Sequence, residues 1–300
     1  MSGEGIAVTS VIRHEWKRGI GSWRFWTAVG VITVLLLAAA TQNAEPWYPP
    51  APIPRYVNFF SVSLSALGAY LQAFWPVLMP VVVVLPAGDS LAMDRHRGLD
   101  AQMITRVGWT HYLWGKMAGN AVLVLAAVGM AIAATEVLFA GLFPRALPPL
   151  LAWNPTERQL ETLPYHVKNS GVIGKFYLTE FHSHFLWATP GLYLVLVILV
   201  ALWASVSWAS LSTAAGLWVR QPLLTLAVPM MVAVVGDVVT QAFWRGILVP
   251  SVYAGAYLWY QPPAGSWAGL FLYWAVFISV PVLAVVWMLW MRKEWPRSVG

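Results

Sequence analysis

Long apolar runs alternate with shorter polar segments along the chain, and this pattern predicts membrane-spanning helices. An α-helix needs about 20 consecutive apolar residues to cross the roughly 30 Å hydrocarbon core of a bilayer. Six runs meet or approach this length, at positions 23–41, 58–86, 116–143, 187–211, 222–244 and 267–291. The second run contains Pro76 and Pro80, which predict a kink. We therefore expect an all-α integral membrane protein with six transmembrane helices.

The overall composition agrees with this class. Hydrophobic residues make up 59% of the 300 positions and charged residues only 10%, against roughly 25% charged residues in soluble domains. The 19 tryptophans suit membrane interfaces, where the ring is apolar and its N–H reaches water. Since the chain contains no cysteine, disulfides, thiolate metal sites and cysteine nucleophiles are excluded.

Lysine and arginine are distributed unequally between the segments that join the predicted helices. With the N-terminus in the cytoplasm, the cytoplasmic segments hold twelve of the 18 basic residues and the external segments hold six. The positive-inside rule therefore places both termini in the cytoplasm of a multi-pass protein of the plasma (inner) membrane. The net charge of +6 follows from this bias and from attraction to the anionic lipid of the inner leaflet. It is no argument for nucleic-acid binding.

The first 22 residues form a basic, amphipathic lead to the first predicted span. Ile12, Trp16 and Ile20 recur at helical spacing opposite Arg13 and Lys17, which predicts a helix lying in the plane of the lipid headgroups. An alternative interpretation is a secretory signal, because the apolar run VGVITVLLLAAA is followed by the small-residue stretch TQNA.

Three further segments between the predicted spans differ in character. Residues 87–115 are rich in charge and are predicted to be a cytoplasmic loop, called here the inter-span segment. Residues 144–186 contain many prolines and predict an ordered external loop. Residues 245–266 are too short to cross the bilayer twice, and their prolines and glycine, with Tyr and Trp between them, predict a re-entrant or interfacial segment on the outer side.

Catalytic and metal-binding signals are weak in this sequence. Asp89, Asp94 and Asp100 are spaced by five and six residues, so on a continuous helix they point in three directions and cannot share one metal ion. The motifs G-x-S-x-G and H-E-x-x-H do not occur. His182 and His184 form only an i, i+2 pair in an irregular segment. We predict no catalytic or metal-ligating residue, and two alternatives stay open: a polytopic membrane enzyme acting on a lipid-like substrate, and a non-catalytic membrane scaffold or sensor.

The inter-span segment carries the most specific motif of the chain. Its sequence MDRHRGLDAQMITRVGWTHYLWGKMAGN resembles the cytoplasmic loop of ABC-2 type ABC transporter permeases, in which an E/D-R-E-R-G-T-L-E run precedes a Pro-x-S/T-x-x-x-Tyr-x-x-G-K stretch. Asp94, Arg95, Arg97 and Gly98 stand at the D-R-x-R-G positions of the first run. The residues that stand in the second half are Thr110, Tyr112, Gly115 and Lys116. The chain departs from this pattern at His96, Leu99 and Gly108. The resemblance therefore indicates the family and not a particular subfamily.

This resemblance implies one half of an ATP-driven exporter. Permeases of this family pair with a second permease, as homodimers or heterodimers, and each docks a cytoplasmic ABC ATPase. ATP and Mg²⁺ would bind to that ATPase, and this chain would hold no cofactor and be no enzyme by itself; accordingly, no G-x-x-x-x-G-K-[ST] motif occurs in it. The residues expected to couple to the ATPase are Asp94, Arg95, Arg97, Gly98 and Asp100.

The charges of the inter-span segment support a contact role independently of the resemblance. Asp94, Arg95 and Arg97 offer both signs of charge for hydrogen bonds to a partner, and Gly98 allows the backbone to turn. The alternative is that these charges only set the membrane topology. The aspartates add nothing to a positive-inside bias, which favours the contact role.

A polar stripe interrupts the fifth predicted span. Asp237, Thr240 and Gln241 occur at i, i+3 and i+4, on one side of a helix. An ionised carboxylate within the bilayer costs about 2.5–3.5 kcal/mol on insertion scales, so it usually faces protein or water. These residues are candidates for lining a substrate translocation path, and the alternative is a hydrogen bond to a neighbouring helix.

Overall fold

Helices are the only regular elements that the computed structural model describes. The description covers residues 3–44, 59, 62–63, 66–67, 78–86, 88–143, 190–219, 221–244 and 287, and no strand occurs among them. In chain order the helices are α1 (Gly3–Ile20), α2 (Trp23–Ala44), α3 (Leu78–Val84), α4 (Ser90–His96), α5 (Leu99–Val107), α6 (Trp109–Leu142), α7 (Pro190–Ala215) and α8 (Pro222–Trp244). The predicted all-α class is confirmed for this part of the chain.

Three of these helices contain segments long and apolar enough to cross a membrane. They are Trp23–Ala40 in α2, Trp109–Leu142 in α6 and Val197–Ala215 in α7. This property indicates a membrane protein. Helix α8 has the predicted bounds of the fifth span and contains Pro229. The second predicted span is described only in part, and the sixth, like the loops 144–186 and 245–266, lies outside the described residues apart from Trp287. The total of six spans therefore stays a prediction.

An elbow joins α1 to α2. Ser22 occupies the position before α2, where its hydroxyl accepts a hydrogen bond from the backbone N–H of Phe25 (3.3 Å) and donates one to the carbonyl of Gly19 (2.6 Å). This is the usual role of serine at a helix N-terminus. The indole of Trp26 donates to the carbonyl of Ile20 at the end of α1 (3.0 Å). These bonds determine the direction in which α2 leaves the elbow.

Helix α1 packs against α6, and the two helices run in the same direction. Val11 lies against Gly115, Glu15 against Gly119, and Gly19 against Leu123. Trp16 and Ile20, which the sequence predicts to face headgroups, instead pack beside Phe25 and Leu123. The reason is that glycines on α6 let the helix backbones approach closely. The predicted helix is present, and one part of its apolar side is used for protein contacts.

The main apolar core is formed by α2, α3, α6 and α7. Its largest fully buried members include Ile32, Leu36 and Trp208. A second, smaller core lies beneath the inter-span segment and includes Val11, Leu91 and Tyr112. Helix α6 has 34 residues and is therefore about 51 Å long. It exceeds the hydrocarbon thickness by about 20 Å, so its first turns, which carry the second core, have the length to project beyond the hydrocarbon.

Candidate functional site

The inter-span segment folds into two short helices, α4 and α5, followed directly by the first turns of α6. Gly98 separates α4 from α5 with φ 68°, and Gly108 separates α5 from α6 with φ 78°. Both values lie in the range that glycine adopts without strain. The turn that the sequence predicts at Gly98 is therefore present, and α4 and α5 are separate helices instead of one.

Four charged residues from three helices meet beneath this segment. The ammonium of Lys116 lies 2.6 Å from Glu15 and 2.5 Å from Oδ2 of Asp94, while Arg18 contacts Oδ1 of Asp94 at 2.7 Å. Tyr112 donates a hydrogen bond to Asp94 at 2.9 Å. We call Glu15, Arg18, Asp94 and Lys116 the buried charge cluster. Its two positive and two negative charges balance, and it joins α1, α4 and α6.

Three of the four members of the cluster are withdrawn from solvent, and Arg18 is partly exposed. Lys116, Glu15 and Asp94 are only 1%, 2% and 4% exposed. A buried ion is tolerated when it is paired and hydrogen-bonded, and here both oxygens of Asp94 are engaged. Burial by itself raises the pKa of the Asp94 carboxyl, but the charge of Lys116 and the hydrogen bonds from Lys116, Arg18 and Tyr112 outweigh it, so this pKa is lowered.

The lowered pKa of Asp94 predicts a loss of stability in acid. The ionised form is favoured by folding, so its contribution is present above the ordinary aspartate pKa of about 4 and is lost as the pH falls through the lower folded-state value. We expect the unfolding temperature of the full chain in detergent to fall more steeply below about pH 4 than that of the Asp94→Asn variant. Equal slopes for the two proteins would contradict this assignment.

A second set of contacts attaches α4 to α2, α6 and α7. Arg24 at the start of α2 contacts Asp89 at 2.5 Å. Ser90 donates to the side-chain oxygen of Asn120 at 3.1 Å, and the amide nitrogen of Asn120 donates to Thr213 at 2.7 Å. This buried chain of three polar side chains connects α4, α6 and α7.

Arg95 attaches the segment to the end of α7. Its Nη1 donates to the carbonyl oxygen of Gly216 at 3.1 Å and to that of Leu217. A cation is favourable at a helix C-terminus, where the last carbonyls lack partners within the helix. Ser212 of α7 adds a hydrogen bond to the carbonyl of Gly88 at 3.1 Å.

Helix α5 covers the segment and leaves one side exposed. Met103, Ile104 and Val107 pack against the smaller core. The opposite side, called here the outer face of α5, consists of Ala101, Gln102, Thr105 and Arg106 and is flanked by the half-exposed Asp100.

The predicted coupling residues therefore occupy two different environments. Asp94 is buried and Arg95 is partly buried, and both make contacts within the chain, whereas Arg97 and Gly98 are exposed and Asp100 is half-exposed. Whether any of them contacts an ATPase stays a prediction. Sequence reasoning missed the role of Glu15 and Lys116 in this site. The one available signal was Lys116, a single cation among the largely apolar residues 112–118, whereas Glu15 lies among basic residues and gave none.

Two other sequence predictions concern the polar stripe of α8 and the binding of metal ions. Asp237, Thr240 and Gln241 lie on α8, but their side chains fall outside the described residues, so the substrate path stays a prediction. In the part of the chain that the structure describes, no group of three His, Asp or Glu side chains is placed to hold a metal ion.

Comparison with known proteins gave no match, whether to a family model, to a characterised protein or to a solved structure.

Proposed function

We propose that this chain is the permease subunit of an ATP-driven exporter of the ABC-2 type. In this proposal it has six transmembrane helices with both termini in the cytoplasm, and it forms the translocation path with a second permease. A separate cytoplasmic ABC ATPase binds ATP and Mg²⁺. Asp237, Thr240 and Gln241 would line the substrate path from α8.

The observation that carries the proposal is the construction of the inter-span segment. The residues that resemble the permease motif lie in two short helices and the first turns of α6, and the short helices are joined by ion pairs and hydrogen bonds to α1, α2, α6 and α7. The outer face of α5 carries no apolar core contact. Such a unit is suited to receive a partner on one side and to transmit displacement on the other.

Each set of contacts has a distinct role in this mechanism. A partner that moves the outer face of α5 would pull α4 through the turn at Gly98. Asp94 would carry that displacement to α6 through Lys116, and Arg95 would carry it to the end of α7. Because the contacts are short and largely buried, the displacement is transmitted rather than absorbed by side-chain rearrangement. The role of Asp94 and Arg95 is thus internal, and direct contact with the ATPase belongs to Asp100 and Arg106.

Exchanging Asp100 and Arg106 (Asp100→Arg with Arg106→Asp) tests the docking role. The exchange preserves the net charge and the positive-inside bias but reverses the charge pattern beside the outer face of α5. We expect normal membrane insertion. Association with the ATPase should weaken by about tenfold or more, since mismatched charges at a docking surface are costly. The measurement is co-purification of the ATPase, with ATP hydrolysis and transport in reconstituted vesicles.

The control is Arg13→Asp, an exposed arginine on α1, which changes the net charge and should leave ATPase association unchanged. Exchanging Asp94 and Arg97 is unsuitable, because it would first disrupt the buried charge cluster. Normal ATPase binding and coupling in the Asp100/Arg106 exchange would contradict docking through α5. Turnover of a lipid-like substrate by the isolated chain would contradict the transport proposal and favour a membrane enzyme.

A further inference from the structure

A cavity of about 270 Å³ lies at the elbow between α1 and α2. It is large enough to hold several water molecules or one small polar group. Three arginines line it, Arg18 from α1, Arg24 from α2 and Arg97 from the end of α4. Apolar side chains complete the lining, among them Met93 and Leu123. Two carboxylates, Glu15 and Asp89, also line it, so the cavity combines cationic, anionic and apolar walls with three cations to two anions.

The charges around the cavity leave one cation unbalanced. Arg24 is paired with Asp89, and the four members of the buried charge cluster balance each other. Arg97 is exposed, and none of the ion pairs among the described residues includes it. The ion pairs of Arg18 and Arg24 use Nη1 in each case, and a guanidinium carries five N–H donors. The lining therefore has an excess charge of one and unused donors.

The position of the cavity relative to the apolar helices indicates where its ligand comes from. Trp23, which lines the cavity, is the first residue of the candidate span of α2. Trp23 and Trp26 are 71% and 56% exposed, as expected for indole rings at the boundary between hydrocarbon and headgroups. With α2 assigned as a membrane span, this places the cavity at the depth of the lipid phosphates.

We infer that this cavity binds the phosphodiester headgroup of an anionic phospholipid. The single negative charge of the phosphate balances the unpaired Arg97, and its oxygens accept hydrogen bonds from the three guanidinium groups, which suit phosphate in geometry and charge. The glycerol and the first acyl carbons lie along Met93 and Trp23, the accessible apolar side chains of the lining. The site would anchor the elbow to the inner leaflet, and it stands whether or not the chain associates with an ATPase.

Arg97→Gln is the direct test, because Arg97 has no internal ion pair to lose. In the purified full chain we expect the affinity for phosphatidylglycerol to fall about tenfold, the effect of losing one charged hydrogen bond. Lipid titration followed by native mass spectrometry provides the measurement. Arg97→Lys should retain most of the affinity. The matched control is Arg106→Gln, which removes the same charge outside the cavity and should leave the affinity unchanged.

Two comparisons separate the possible ligands. Phosphatidylcholine with the same acyl chains should bind more weakly, because its choline cation cancels the headgroup charge. Inorganic phosphate should not displace phosphatidylglycerol, since it lacks the apolar contacts. Equal losses in Arg97→Gln and Arg106→Gln would show diffuse surface attraction and overturn the site. Displacement by inorganic phosphate would overturn the assignment to a lipid. The unfolding temperature in detergent micelles verifies that all variants are folded.

Discussion

Lys116→Met is expected to lower the free energy of unfolding by about 3–5 kcal/mol, because removing one partner of a buried ion pair leaves an uncompensated charge. The substitution leaves Glu15, 2% exposed, without its cation. Asp94 keeps Arg18 and Tyr112 as partners, so most of the loss arises at Glu15. Equilibrium unfolding in mixed micelles, followed by tryptophan fluorescence, measures the effect.

Two further variants establish the cause. Lys17→Met makes the same chemical change at an exposed position of α1 and should alter stability by no more than about 0.5 kcal/mol. The double variant Glu15→Leu with Lys116→Met removes the whole pair and should recover much of the loss, since buried ion pairs can often be replaced by apolar residues at little net cost. If the double variant is less stable than Lys116→Met, Glu15 is stabilised by something other than Lys116.

Gly115→Leu is expected to separate α1 from α6. Even a Cβ atom at this position would lie 2.6 Å from Cβ of Val11 and 2.8 Å from its Cγ1, and Val11 is fully buried. Overpacking of this kind costs about 1–3 kcal/mol and sometimes more. Because α1 supplies Glu15 and Arg18, its displacement would also open the buried charge cluster. Faster cleavage by trypsin at Arg13 and Lys17, together with the lowered free energy of unfolding, reports the separation.

Gly129→Leu is the matched control on the same helix. A Cβ at Gly129 meets no atom of the structure within 4 Å, and leucine has a higher helix propensity than glycine by nearly 1 kcal/mol. This variant should keep α1 resistant to trypsin and should be no less stable than the parent. Equal sensitivity of the two variants would show that the close contact between Val11 and Gly115 does not hold α1 in place.

In the inter-span segment, the sequence predicted the turn but not which of the charged residues are buried. The charge run and Gly98 predicted a polar segment with a turn outside the apolar helices, and the structure has a left-handed glycine there between α4 and α5. The sequence predicted that Asp94 and Arg97 would both be available for hydrogen bonds to a partner. Their exposure differs because Asp94 points into a core lined by Tyr112 and Lys116, whereas Arg97 follows the end of α4.

The amino-acid sequence by itself determined the helical class, the apolar helices and the bounds of α8. These properties depend on residues close together in the chain: the length of an apolar run and the position of proline or glycine. Only the tertiary structure decided which charges are buried and paired. Arg18 and Asp94 are separated by 76 positions, and Glu15 and Lys116 by 101. Helical spacing relates residues within a few turns, so contacts at such separations depend on how α1 packs against α6, and the glycines of α6 determine how closely it can do so.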